Sequence, residues 1–388
     1  MRRSCSAYEL AQRKPIKGEI VRYFRFMMPV KTTALCLALL TCNAVSNAIA
    51  ADKLVALYSS HAVPYSMPWI AEELGLFKKY DLDFGFVYIP SSSTATAAIL
   101  GNNVEVGLLG GVGIVNAYAS GATDLCFIGS IKNVMTQSIL AKPNITNLEQ
   151  LRGKRIGVTR IGSNTHFFTV QALRRAGMNS DKDITFIQTG GDNETLGALA
   201  SGRVDAASML PPTDGRAIAL GFRYVVFGPD IAIPYAASTI TTRRSVIAKR
   251  GPVIGRFMRA MAEASRSMHR DKDLVYRVLE KKLRINDRAI LDASYTIEMK
   301  VMEPRLDLKA AAIQPMIEEV AKTNPRANEI KPLDLMDRRY LTEMESSGFF
   351  NQVWNEKRKS YEDGEWKVED GRSKRAGPNR TVSSSRRP

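Results

Sequence analysis

Ala98-Ile99-Leu100-Gly101 leads into Val104-Glu105-Val106-Gly107, and further along the chain Ala198-Leu199-Ala200-Ser201-Gly202 leads into Val204-Asp205-Ala206-Ala207. Each stretch reads as a helix that stops at glycine, where a left-handed cap costs least, followed by a strand opening with valine and an acid. The elements around the two copies come in the same order. Residues 53–58, 84–89 and 104–109 read as strands. A helix is predicted over 65–77, where Trp69, Ile70, Leu74 and Phe77 recur at helical spacing, and another after the N-capping run Ser91-Ser92-Ser93-Thr94. The second copy has strands over 155–158, 184–187 and 204–207. Its helices open at Gly162-Ser163-Asn164-Thr165 and at Gly190-Gly191-Asp192-Asn193. Strands alternating with helices at this spacing imply parallel pairing, hence an α/β protein of two similar lobes, each a mostly parallel sheet flanked by helices.

After Tyr235 the pattern changes: Thr239-Ile240-Thr241-Thr242 is strand-like, and long helical stretches follow over 252–269, 274–283, 287–303 and 308–323. A chain that finishes one lobe, builds a second and returns must cross twice. The two hinge crossings are predicted near Gln137-Ser138-Ile139 and Tyr235-Ala236-Ala237. Lobe one then comprises 51–137 and 238–355, and lobe two 138–237. Residues 356–388, rich in Arg, Lys, Ser and Gly with few apolar side chains, are expected to be a disordered basic tail.

The 388 residues carry a net charge of +16. Much of it is terminal: residues 1–31 have eight Lys/Arg against two Asp/Glu, and residues 356–388 have ten against six. No basic stripe interleaved with aromatics and no helix-turn-helix or zinc-finger spacing is present, so nucleic acid is not an expected partner. Residues 1–50 read as an export signal. Lys31 precedes the apolar run Ala34-Leu35-Cys36-Leu37-Ala38-Leu39-Leu40, and Ala48-Ile49-Ala50 supplies a small-x-small cleavage site before Ala51. That run is too short to span a bilayer. Met1 and Met27 or Met28 are alternative starts. Leu39-Leu40-Thr41-Cys42 is similar to a lipoprotein box, so contact with a membrane is expected only through a permease or a lipid anchor at Cys42. Of four cysteines (Cys5, Cys36, Cys42, Cys126), only Cys126 lies in the mature chain, which excludes an intrachain disulfide.

In open parallel sheets ligands bind beyond the C-terminal ends of the strands, where helix N-termini present free N–H groups. The residues at those positions form the candidate ligand site: Ser60, His61, Tyr65, Ser91, Ser92, Ser93, Gly110 and Gly111 in the first lobe, and Arg160, Ser163, Asn164, Thr165, Gly190, Gly191 and Pro211 in the second. The set is small, polar and glycine-rich, with one cation, and suits a small ligand bearing acceptor oxygens. Tyr65 is expected to wall its apolar part, with Trp69 in the core. Catalytic patterns are missing. No H-E-x-x-H, G-x-S-x-G or P-loop occurs, and Cys126 sits on the apolar stretch Leu125-Cys126-Phe127-Ile128. His61 and His166, with Asp192 or Glu194, could reach one another in the cleft, but without ligand spacing no metal and no cofactor is expected.

Pro68-Trp69-Ile70-Ala71-Glu72-Glu73-Leu74-Gly75-Leu76-Phe77, the Ala97–Gly107 helix–strand segment, Leu148-Glu149-Gln150-Leu151-Arg152-Gly153-Lys154-Arg155-Ile156-Gly157-Val158 and Gly202-Arg203-Val204-Asp205-Ala206 occur in order. Together they resemble the motifs of the nitrate/sulfonate/taurine/bicarbonate group of periplasmic solute-binding proteins, whose relatives also bind pyrimidine precursors. The resemblance spans about residues 52–350. It implies a type II periplasmic binding fold and delivery of a small-molecule ligand to an ABC transporter permease. Two departures stand out: Glu105 where Asp is usual, and Met209-Leu210-Pro211-Pro212-Thr213 in place of an acid–aromatic segment. The expectation is a monomeric, non-enzymatic periplasmic substrate-binding protein that captures a small organic or inorganic anion or a small heterocycle. The alternative is an exported enzyme on the same fold acting on a pyrimidine-like or aromatic small molecule.

Overall fold

The computed structural model describes residues 50–354 and the backbone of two further strands, Lys359–Glu362 and Glu365–Val368. The export signal, the box at Cys42 and the choice of start lie outside the described residues. Ten strands precede the long helices: β1 (Asp52–Tyr58), β2 (Leu82–Tyr88), β3 (Val106–Leu109), β4 (Leu125–Val134), β5 (Ser138–Ala141), β6 (Arg155–Val158), β7 (Thr185–Gln188), β8 (Ala206–Met209), β9 (Arg223–Val226) and β10 (Pro234–Arg243). Between them run α1 (Met67–Glu73), α2 (Leu76–Lys79), α3 (Ser92–Leu100), α4 (Val112–Ala119), α5 (Asn164–Arg175), α6 (Asp192–Ala200), α7 (Thr213–Ala219) and α8 (Gly228–Ile231). After β10 come α9 (Arg244–Arg270), α10 (Lys272–Leu283), α11 (Arg288–Met299), α12 (Ala310–Ala321), α13 (Arg339–Ser346) and α14 (Phe349–Trp354). Among the described residues no helix is long and apolar enough to cross a membrane.

Two five-stranded sheets result, β2-β1-β3-β10-β4 and β7-β6-β8-β5-β9, with the same order of roles in each. β1 pairs in parallel with β2 (Ala56↔Phe86) and with β3 (Ala56↔Val106), and β6 pairs in parallel with β7 (Ile156↔Phe186) and β8 (Ile156↔Ala206). Each sheet also accepts one antiparallel strand from the crossing chain: β10 beside β3 (Ile240↔Leu108) and β5 beside β8 (Leu140↔Ala207). The chain leaves the first sheet after Val134 and enters the second at Ser138. It leaves the second after Val226 and returns at Pro234. The molecule is thus an α/β protein of two lobes with two crossings.

The strands are apolar on both faces because helices cover both, as parallel sheets require. In the first lobe Phe77 stacks on Phe84 with ring centroids 3.9 Å apart, and Phe257 of α9 closes the group at 5.7 Å from Phe84. Each such side chain, fully buried, contributes about 1.5–3 kcal/mol. Trp69 is in this core, edge-on to Tyr58 at 5.2 Å. The helix expected over 65–77 is divided at Gly75 (φ 67°), whose left-handed backbone ends α1 and starts α2. α9 breaks at Arg250 (φ −135°, ψ 31°), two residues before Pro252, as the missing N–H and ring clash of proline demand. β5 and β9 have no counterpart in the sequence-based expectations. In the tail expected to be disordered, Lys359–Glu362 pairs antiparallel with Glu365–Val368; the rest of that tail lies outside the described residues.

Candidate functional site

Strand ends from both lobes converge on one buried pocket. Its wall comprises Ser59 and Ser60 after β1, Tyr65, Ser91 and Ser92 after β2, Gln137 at the first crossing, Thr159, Asn164 and Thr165 after β6, Asp192 after β7 and Leu210 after β8. The free volume is about 20 Å3, room for about one water. The lobes are in direct contact across it. Ser60 Oγ donates to Asp192 Oδ2 at 2.8 Å, and the His61 backbone N–H donates to the same oxygen at 2.8 Å. Asn164 spans the gap more fully. Its Oδ1 accepts from the Tyr235 hydroxyl at 2.7 Å, its Nδ2 donates to the Ala237 carbonyl at 2.9 Å, and its backbone N–H donates to Ser92 Oγ at 3.3 Å. Gly110 makes that approach achievable, since a Cβ there would lie 1.7 Å from Asn164 Oδ1. Gly191 serves likewise: a Cβ would meet the Tyr88 hydroxyl of the first lobe at 2.9 Å.

Burial sets the electrostatics. It raises the Asp192 carboxyl above the usual carboxylate range, although the Ser60 and His61 hydrogen bonds pull the other way. It lowers the His61 imidazole, keeping that ring uncharged, and pushes the Tyr65 phenol up to about 12. The His61 ring lies 4.0 Å from that of Tyr88, and both His61 Nδ1 and the Tyr88 hydroxyl are buried without a hydrogen-bond partner. The side chain of Gln137 is 1 % exposed, and neither its Oε1 nor its Nε2 has a partner. Two orphaned amide atoms at the wall of a polar pocket cost about 1–3 kcal/mol each in desolvation unless something meets them.

Among the described residues no cation lines the wall; Arg160 is exposed and is not part of it. Lys132 is buried beside the crossing, but its Nζ is held 2.7 Å from Glu298 Oε2 and 2.7 Å from Thr136 Oγ1. The Thr136 hydroxyl in turn donates to Glu298 Oε1 at 2.6 Å. This triad anchors the segment that carries Gln137.

The remaining expected residues have local tasks. Ser163 caps α5, its Oγ accepting from the His166 N–H at 3.4 Å and from Thr159 Oγ1 at 3.0 Å. Ser91 (φ 70°) and Gly190 (φ 108°) turn the chain, and Ser93 faces a neighbouring cavity. The Gly111 N–H donates to Ala236 O at 3.1 Å, on β10 of the first sheet, and Pro211 is buried while its neighbour Leu210 takes the place at the wall. Ser59, Gln137, Thr159, Asp192 and Leu210 are wall residues beyond the expected set. Gln137 stands out in the sequence only as a crossing residue, and Asp192 only as a helix opener and a possible neighbour of the two cleft histidines. His61, His166, Asp192 and Glu194 do not assemble: among the described residues no group of three or more His, Cys, Asp or Glu could hold a metal.

Residues 64–273, more than half of the chain, match the model of the family described as NMT1/THI5 like. A curated relative, "Putative binding protein YtlA" of Bacillus subtilis, is 22% identical over 223 residues, covering 55% of this chain and 66% of its own length, just short of two thirds. Among solved structures, the alkanesulfonate-binding protein SsuA of Xanthomonas axonopodis pv. citri, bound to MOPS, superposes with a TM-score of 0.64 at 19% identity, over 74% of this chain and 98% of that one. The periplasmic aliphatic sulphonate binding protein SsuA of Escherichia coli gives a TM-score of 0.56 at 19% identity, over 74% and 91%. A Cys-to-Ser variant of the enzyme DszB, in complex with biphenyl-2-sulfinic acid, gives 0.57 at 16% identity, over 76% and 99%. At these identities the likeness establishes the fold, that of the two-lobed periplasmic binding proteins.

Proposed function

This chain belongs to the NMT1/THI5-like family, and from that membership we propose that it is the substrate-binding component of an ABC importer. It captures a small organic or inorganic anion or a small heterocycle between its lobes and delivers it to a membrane permease. The observation that carries this reading is the Gln137 amide, buried with both polar atoms unpartnered in a pocket whose walls come from both lobes. With the lobes parted to admit it, a ligand completes hydrogen bonds that the protein leaves open, and lobe closure then shields them from water. The pocket's chemistry favours the heterocycle over the bare anion. Asp192 lies at the wall, Lys132 is spent on Glu298, and the Gln137 amide offers a donor beside an acceptor. The lobes divide at the crossings, 51–137 with 238–355 and 138–237. The protein works as a monomer in the periplasm, exported by residues 1–50 and reaching the membrane through the permease or a lipid on Cys42.

The enzyme reading shares only the fold with DszB. Cys126, the one cysteine among the described residues, is buried on β4 away from the crossing, and burial pushes its thiol up to about 12, where little thiolate forms.

A thermal-shift series with pyrimidines, sulfonates, carboxylates, nitrate, bicarbonate and phosphonates tests the proposal, because a ligand that binds only the folded state raises the melting temperature with concentration. A saturable rise with one class, largest for heterocycles, supports it. A folded protein that shifts with none of them counts against it.

A further inference from the structure

Beside the polar pocket lies a larger space. A cavity of about 510 Å3 opens between α3, α4, α5 and α12. Leu100, Val112 and Ala117 line it from the first lobe, and Ile161, Phe167 and Val170 from the second. The partition between cavity and pocket is made of Phe167, whose ring lies 4.7 Å from that of Tyr235, and of Asn164, which Tyr235 binds. At the rim, one large apolar side chain from each lobe stands in solvent: Leu100 is 41% and Ile161 48% exposed. Folding leaves such groups out of water where it can, and two exposed apolar side chains lining one cavity mark a surface kept for an apolar occupant.

The charges at the cavity are already satisfied. Glu319 accepts from Arg174 Nη1 at 3.0 Å and Nη2 at 3.2 Å, from Gln171 Nε2 at 2.9 Å and from Lys322 Nζ at 2.7 Å. His166 faces the space as an uncharged ring, since burial lowers its pKa. Nothing there calls for a charged ligand. The volume sits within the range of about 300–1,000 Å3 typical of small-molecule sites, which are mostly apolar with a few polar handles; Ser93, Asn116 and His166 are the handles here.

We propose that this cavity is a second binding compartment, which takes an uncharged aromatic ring or short alkyl chain. Its lining alone supports this, whatever occupies the polar pocket. Because its walls belong to both lobes, an occupant holds them together.

The test is a fluorescence titration of the full chain with N-phenyl-1-naphthylamine, a neutral apolar probe. Saturable binding of one probe per chain is expected. Ala117→Trp, which fills the cavity, and Ile161→Ser, which strips an exposed rim group without disturbing the core, should each weaken binding by about tenfold or more. Leu333→Ser, which removes a leucine 69% exposed elsewhere on the surface, should leave it within about twofold. Should Ala117→Trp fail to fold, Ile161→Ser decides. Absence of saturable binding, or equal affinity in the native protein and Ile161→Ser, overturns the proposal.

Discussion

The Ser60 hydroxyl and the Asp192 carboxylate meet at 2.8 Å across the boundary between the lobes. The His61 N–H shares the same acceptor oxygen, so one carboxylate from the tip of α6 holds the first loop of the other lobe. Buried hydrogen bonds of this kind contribute about 0.5–1.5 kcal/mol each. Asp192→Ala removes both and should shift the lobes toward separation. Small-angle scattering should show a larger radius of gyration without ligand, and calorimetry a loss of affinity of about tenfold or more. An unchanged radius and affinity would mean that Asp192 does no more than place an acid in the first turn of its helix.

Gly110 and Asn164 are matched in shape. Gly110→Ala puts a methyl group where the Asn164 amide lies and should cost about 1–3 kcal/mol by overpacking. In an Asn164→Ala background the methyl has room, so the same substitution should cost much less. Denaturant unfolding of the four proteins in the cycle checks this. Additive costs would contradict the contact.

The doubled helix–glycine–strand pattern around Gly101 and Gly202 is local, so both sheets and their parallel strands are legible in the sequence. β5 and β9 are not: they are four residues each, and their pairing partners come from distant parts of the chain. The same limit applies at the site. That Asn164 and Ser92 belong to it follows from their places after strands. That Arg160 stays out of the wall, and that the Gln137 amide is left without partners, are set by the packing of both lobes at once. Spacing carries no trace of either. Asp192 reads as a helix opener because it is one; its second task depends on Ser60, which lies 132 residues away.

The buried pair of Lys132 and Glu298 makes a stability prediction. Lys132→Met leaves the 0%-exposed Glu298 carboxyl without its ammonium partner, and loss of one partner of a buried pair costs about 3–5 kcal/mol. Lys132→Met with Glu298→Met together should recover more than half of that in urea unfolding. A double variant as unstable as the single one would contradict the account.

Asp214 supplies a pH dependence. Burial raises its carboxyl from the model-compound 3.8 to about 6, even though the Tyr224 hydroxyl and the Gly215 N–H donate to it. The folded protein therefore holds a proton there that the unfolded chain releases. Its contribution to stability is full below about pH 4 and is lost as the pH rises through 6, by at most about 3 kcal/mol. Asp214→Asn does not titrate, so its stability relative to the native protein should rise between pH 4 and pH 7. A difference that stays flat over that interval would place the carboxyl at an ordinary pKa.

The measurement that bears most directly on the central claim is a calorimetric titration of the native protein and Gln137→Met with the compound giving the largest thermal shift. Methionine keeps the volume and removes the two orphaned polar atoms. The ligand-free variant should melt no lower than the native protein and bind the compound at least about tenfold more weakly, since the ligand loses its partners. Equal affinity in the two proteins would contradict the account and move the binding site away from the crossing between the lobes.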